Sequence, residues 1–230
     1  MEISPDITNL SEAVKRSMCL SGISESELNV WAEQIVCIVG PSAVGKHSLC
    51  HKIIKYRPKQ YHLLGPTTTR LCTLDDIKCN KYISVTQAAF ESMLMRKEFL
   101  YWRITSDGSY GIEKRRIRTA TIERKKILLT FRSIGALAFK TIMPRVTVLE
   151  MRCPISVLLE RIKARSRFRP DEWKSRIEVA TEELHFNGLL YEKYSRSSED
   201  QWFQIDNEEY EPPISKKTVE SALSILDNIG

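Results

Sequence analysis

Ile35-Val-Cys-Ile-Val39 runs without a break into Gly40-Pro-Ser-Ala-Val-Gly-Lys46-His-Ser48, and the order of these two stretches decides the fold. The apolar run is rich in β-branched residues and reads as a strand buried on both faces, the habit of a parallel sheet. The glycines that bracket the following turn let backbone N–H groups point inward around a phosphate, and a helix starting near Lys46 adds its positive dipole end at the same spot. Gly40, Pro41, Ser42, Ala43, Val44, Gly45, Lys46, His47 and Ser48 therefore form the expected nucleoside triphosphate loop, with Lys46 reaching the β- and γ-phosphates. His47 stands where a Ser or Thr hydroxyl ordinarily meets Mg²⁺, so Ser48, one residue on, is the expected metal-facing hydroxyl. A glycine-rich turn can also be purely structural, but here both glycines, the lysine and the strand coincide.

Outward from the loop, the pattern alternates strands and helices. Before it, Ser11 to Leu20 and Ser24 to Glu33 each open on a capping residue and predict a two-helix extension over residues 1–34. After it, the sequence predicts a helix over 49–55, a strand over 61–64, a strand over 82–85 and a helix over 88–96. Residues 126–131 and 146–151 are apolar enough for central parallel strands, with a helix over 134–141 between them. Helices over 156–164 and 171–184, a strand over 202–206 and a last helix over 215–229 complete the reading. The expected architecture is an α/β doubly wound parallel sheet, with inserts at the carboxyl ends of the strands, where open sheets bind ligands.

Composition narrows the function classes. A chain of 230 residues with 42% apolar content can bury a core of its own. A formal charge of +6 suits polyphosphate substrates as well as nucleic acid and does not decide between them. Six cysteines, Cys19, Cys37, Cys50, Cys72, Cys79 and Cys153, lack metal-site spacing and are expected as free thiols in a reducing cytoplasm. No stretch has membrane-span length and the amino terminus lacks a secretion pattern, so a soluble cytoplasmic protein with no membrane partner is expected.

Further on, Thr68-Thr-Arg70, Tyr82, Phe90, Glu98-Phe99, Trp102 and Tyr110-Gly111 resemble the nucleotide-acceptor segment of guanylate kinases. Arg161, Arg165, Arg176 and Glu183 stand at the intervals of that family's arginine lid and the helix after it. The resemblance covers residues 35–208, with an acceptor lobe over 66–112, a lid over 161–178, and 209–230 closing the same domain. It implies a phosphate-loop kinase, an ATP-dependent phosphotransferase that uses Mg²⁺ and moves the γ-phosphate of ATP onto the phosphate of a nucleoside monophosphate. Under it, Lys46, Arg165 and Arg176 are the catalytic cations, while Arg70, Tyr82 and Tyr110 hold the acceptor's phosphate. The chemistry agrees, because phosphoryl transfer asks chiefly for cations around developing negative charge.

Several positions depart from the family pattern. Its second acceptor arginine falls on Thr73, its guanine-reading carboxylate on Tyr101, its base-touching serine on Pro66, and its strand acids on Thr130 and Arg132. GMP is the acceptor by family default, yet a pocket without carboxylates leaves guanine's donors unpaired. Tyr101 is expected to stack on a ring or sugar face and Arg132 to meet a phosphate or carboxylate, while Asp75 and Asp76 are nearby carboxylates for a base edge. Two other readings stay open: a ribose 1,5-bisphosphate phosphokinase, and a guanylate kinase-like protein-binding module without catalysis, which the intact Lys46 opposes. Lys114 to Arg118 with Arg124 to Lys126 reads as a solvated helix face in preference to a nucleic-acid surface. His47 and His51 share a helix face but lack further ligands. Trp31, Leu28 and Ile35 read as packing, and residues 1–34 are expected to serve docking or dimerisation.

Overall fold

The computed structural model describes residues 10, 14–74, 76, 79, 81–105, 107–165, 170–196, 201–208 and 214–229. Among them the elements run α1 (Glu25–Gln34), β1 (Ile35–Val39), α2 (Lys46–Tyr56), β2 (Tyr61–Leu63), β3 (Thr67–Thr68), β4 (Ile83–Ser84), α3 (Gln87–Met95), β5 (Phe99–Thr105) and β6 (Gly108–Glu113). They continue as α4 (Lys114–Ile122), β7 (Lys126–Thr130), α5 (Ser133–Ile142), β8 (Thr147–Arg152), α6 (Ile155–Arg165), α7 (Pro170–Tyr194), β9 (Trp202–Asp206) and α8 (Lys216–Asn228). Two compact units divide the chain, one of Met1–Ile35, Lys59–Leu129 and Leu137–Val146, the other of Val36–Pro58, Thr130–Ala136 and Thr147–Gly230.

The second unit carries the phosphate loop. β1 lies parallel to β8, with Val39 opposite Glu150, and β8 lies parallel to β9, with Arg152 opposite Asp206. All five residues of β1 are buried, as an apolar strand between covered faces requires. The chain leaving β7 joins the same ladder, since the Phe131 N–H donates to Ile38 O at 3.0 Å. Ser215 caps α8: its hydroxyl accepts from the Thr218 N–H and so satisfies one orphan donor of the first turn.

The first unit holds a parallel pair, β2 with β7, and a small four-stranded sheet in the order β4-β3-β6-β5. β5 and β6 form an antiparallel hairpin, against which β3 also pairs antiparallel to β6. Phe90 of α3 stacks on Phe99 of β5 with ring centroids 4.6 Å apart, which seats the helix on the sheet. Ser24 caps α1, and Trp31 within it is fully buried, as a packing residue should be.

Strand β6 and the short β3 were not legible in the sequence, because glycines and polar residues interrupt their alternation. α7 runs to Tyr194, past the expected end at residue 184. The helix expected over 11–20 is corrected in its described part: Ser11, Glu12 and Ala13 lie outside the described residues, and the chain has left the helix by Met18. Met18 bridges to Tyr101, and the Cys19 N–H donates to Leu100 O at 2.9 Å, so the β5 edge captures this segment as a partner. The basic stretch at 114–118 is not wholly a solvated face, since Lys114 is only 5% exposed. Its ammonium donates to Ser21 O at 2.7 Å and Lys97 O at 2.8 Å. Arg118 pairs with Glu27 at 2.6 Å and lies over the Trp31 ring. All six cysteines are free thiols. Among the described residues no helix is long and apolar enough to cross a membrane.

Candidate active site

Between β1 and α2 the backbone takes positive φ at Gly40 (137°), Ala43 (67°) and Gly45 (108°), the curl that turns successive N–H groups toward one side. Ala43 holds this conformation at a cost of roughly 1–2 kcal/mol, strain of the kind that functional loops store. At Gly40 no side chain would fit, because a Cβ would stand 2.6 Å from the Met151 carbonyl oxygen of β8. The Lys46 ammonium donates to Gly40 O at 2.5 Å and Pro41 O at 2.9 Å, so the cation sits over the loop's own carbonyls.

Other residues of this unit brace the loop. Asn207, fully buried directly after β9, donates from Nδ2 to Val44 O at 2.8 Å, and Arg161 of α6 donates to the same oxygen at 3.3 Å. Thr218 of α8 in turn donates to Asp206 O at 2.8 Å beside that asparagine. His47 Nε2 and Thr130 Oγ1 are hydrogen-bonded at 3.3 Å. Arg132, expected at the acceptor, has its carboxylate partner within the protein: its Nε donates to Glu183 Oε2 at 2.9 Å, while Glu183 Oε1 accepts from the Ser133 N–H. Ser48 is half-buried in the first turn of α2. Arg176 lies exposed on α7 and Arg165 ends α6, while the rest of the lid run, residues 166–169, lies outside the described residues.

In the first unit the structure brings Arg70, Tyr82 and Tyr110 together. The Arg70 guanidinium lies 5.2 Å from the Tyr82 ring centre, and the two tyrosine rings are 6.1 Å apart. Asp76 is the brace: it accepts from Lys81 Nζ at 2.7 Å, from the Thr73 N–H at 3.2 Å and from Arg70 at 3.4 Å. Burial opposes the charge on Asp76, but Lys81 and the Thr73 hydrogen bonds outweigh it and bring its pKa to about 2. Tyr110 donates its hydroxyl to Asp107 at 2.9 Å, and burial together with that carboxylate pushes its pKa above the usual phenol range. Gly108, with φ of 143°, lets the β5–β6 turn close on the Arg70 backbone, where a Cβ would lie 2.9 Å from Arg70 N.

The sequence model of the guanylate kinase family matches residues 32–192. The chain belongs to the guanylate kinase family. The guanylate kinase of Carboxydothermus hydrogenoformans is 28% identical over 151 residues, covering 65% of this chain and 74% of its own. That of Mycobacterium sp. strain MCS is 29% identical over 154 residues, covering 66% and 77%. The crystal structure of guanylate kinase from Anaplasma phagocytophilum superposes with a TM-score of 0.58 at 18% identity, covering 84% of each chain, and shows a shared fold. This member of the guanylate kinase family is therefore a phosphate-loop kinase of α/β architecture.

Against the family pattern, two expectations change. Tyr101 is 6% exposed, its ring packs edge-on against Phe139 5.9 Å away, and burial raises its pKa. A ring closed in this way offers no open face for stacking on an acceptor. Asp76 is engaged by Lys81, Thr73 and Arg70, so it positions an arginine in place of reading a base; Asp75 lies outside the described residues. Sequence reasoning missed Asn207, Lys81 and Asp107. For Asn207 a signal existed, a polar residue immediately after the carboxyl end of a sheet strand, where ligand sites of this architecture gather.

Proposed function

We propose that this protein transfers the γ-phosphoryl group of ATP to the phosphate of a small acceptor, a nucleoside monophosphate by class. The loop carries this reading: a positive-φ curl with the Lys46 ammonium over its carbonyls is built to exchange those weak acceptors for phosphate oxygens. In the transfer, the bond from the γ-phosphorus to the bridging oxygen of the leaving ADP breaks as one forms to an acceptor phosphate oxygen. The protein's part is positioning and positive charge. Lys46 holds the β- and γ-phosphates, Arg165 and Arg176 close on the transferring group, and Arg70, Tyr82 and Tyr110 hold the acceptor's phosphate.

Mg²⁺ asks for hard oxygen ligands and is usually shared between carboxylates and nucleotide phosphates. The Ser48 hydroxyl suits it as one such oxygen, so an ion carried by ATP fits the loop, and its charge would ease the approach of phosphate to phosphate. GMP stays the family default, but Pro66, Thr73 and the closed Tyr101 leave guanine's donors without readers.

The test is ATP-to-ADP turnover with Mg²⁺ across nucleoside monophosphates, deoxynucleotides and ribose 1,5-bisphosphate, beside the Lys46→Met variant. Stimulation by one acceptor, abolished in the variant, is expected. Turnover that survives the Lys46 change overturns the donor assignment, and silence across the nucleotides with stimulation by the sugar phosphate overturns the acceptor class.

A further inference from the structure

Where phosphate loops present a metal-facing hydroxyl to an acidic strand residue, this chain pairs His47 with Thr130. We infer that this pair uncouples nucleotide binding from the metal: the donor site accepts metal-free ATP about as readily as Mg·ATP. The inference rests on the ATP-binding reading above.

Three observations in the second unit support it. First, the His47–Thr130 hydrogen bond, at 3.3 Å, joins two groups without a formal negative charge, and an imidazole is a poor ligand for Mg²⁺ beside an anionic oxygen. Second, two carboxylates of this unit, Glu183 and Glu150, are already engaged. Glu183 accepts from Arg132 Nε and from Ser133, and Glu150, 2% exposed on β8, accepts from Trp202 Nε1 at 2.9 Å and Gln204 at 3.3 Å. Among the described residues no group of three His, Cys, Asp or Glu side chains is placed to hold a metal. Third, the side chains bonded to the loop's carbonyls include two cations, Lys46 on Gly40 O and Pro41 O and Arg161 on Val44 O.

The consequence is a change in linkage. With a carboxylate behind the loop, metal-free ATP is repelled and Mg²⁺ bridges the two anions, which couples the two ligands favourably. Thr130 removes the repulsion and the bridge together. Ser48 remains as a neutral oxygen that the ion can touch, but it supplies no charge for the ion to neutralise.

Calorimetric titration of the full chain with a non-hydrolysable ATP analogue, with excess Mg²⁺ and with EDTA, tests this directly. Affinities within about fivefold of one another are expected, the lower edge of ordinary allosteric coupling, and a larger gain from Mg²⁺ overturns the inference. The His47→Ser, Thr130→Asp double variant, checked for folding by circular dichroism, should bind the metal-free analogue at least about tenfold more weakly than the Mg²⁺ complex. A folded double variant that stays indifferent to metal also overturns the role given to the pair. Absence of binding in both conditions overturns the ATP-binding reading and the inference with it, an outcome distinct from strict metal dependence.

Discussion

Asp76 shows how one buried side chain can hold several others in place. It is 5% exposed and joins Lys81, the Thr73 backbone and Arg70, which fixes the guanidinium over Tyr82. Because its folded pKa, about 2, lies below the ordinary 3.8, its contribution is complete above about pH 4 and is lost as the pH falls toward 2. At about 1.36 kcal/mol per pKa unit, Asp76→Asn should therefore cost roughly 2 kcal/mol at pH 7 and almost nothing near pH 2. Urea unfolding at a series of pH values measures this, and an equal cost at both ends of the series contradicts it. Arg70 itself has a kinetic signature. A hydrogen bond to a charged group contributes about 1.5–3 kcal/mol, so Arg70→Ala should raise the acceptor KM roughly 10- to 100-fold. The ATP KM should barely move, and equal loss for both substrates speaks against the acceptor assignment.

At the scale of elements, the β5–β6 hairpin owes its outer edge to a segment that follows no regular pattern. Residues 17–19 pair with it through Trp102 N to Ser17 O and Cys19 N to Leu100 O, and the Lys114 ammonium holds Ser21 O and Lys97 O from the start of α4. A buried ammonium is tolerated only while such acceptors surround it, and the carbonyls depend on it in turn. Lys114→Met keeps the volume and removes the donor, leaving buried carbonyls unsatisfied at about 1–3 kcal/mol. Hydrogen exchange at the Cys19 and Trp102 amides should then speed up while β8 and β9 stay protected. Unchanged exchange at those amides would show that the strand contacts alone hold the segment.

For the molecule as a whole, nucleotide binding should register as stability. ATP at about 100 times its Kd adds about 2.7 kcal/mol. For a chain of this length that raises Tm by roughly 5–10 °C. Thermal melts of the native chain and of Lys46→Met give the reading: a rise in the first that is lost in the second is expected, and a rise retained in the variant removes Lys46 from the donor site.

The sequence by itself determined the strand, the loop and the helix at 35–56, because an unbroken apolar run, glycines at positive φ and a lysine at the helix start are local features that a few neighbouring residues supply or lack. It also determined the α/β alternation and the grouping of Arg70, Tyr82 and Tyr110, which the family resemblance carried. Tertiary structure alone decided what the other candidates do. Tyr101 reads as an aromatic on a strand whether it faces a ligand or Phe139, and only packing closed it. Lys114 belongs to a charge run in sequence and becomes a buried anchor because carbonyls from 21 and 97 converge on it. Asn207, Asp76 and the His47–Thr130 bond likewise depend on partners brought in from other segments. A hydrogen bond needs its partner within about 3 Å, and the spacing of residues along a chain cannot supply that distance across a fold.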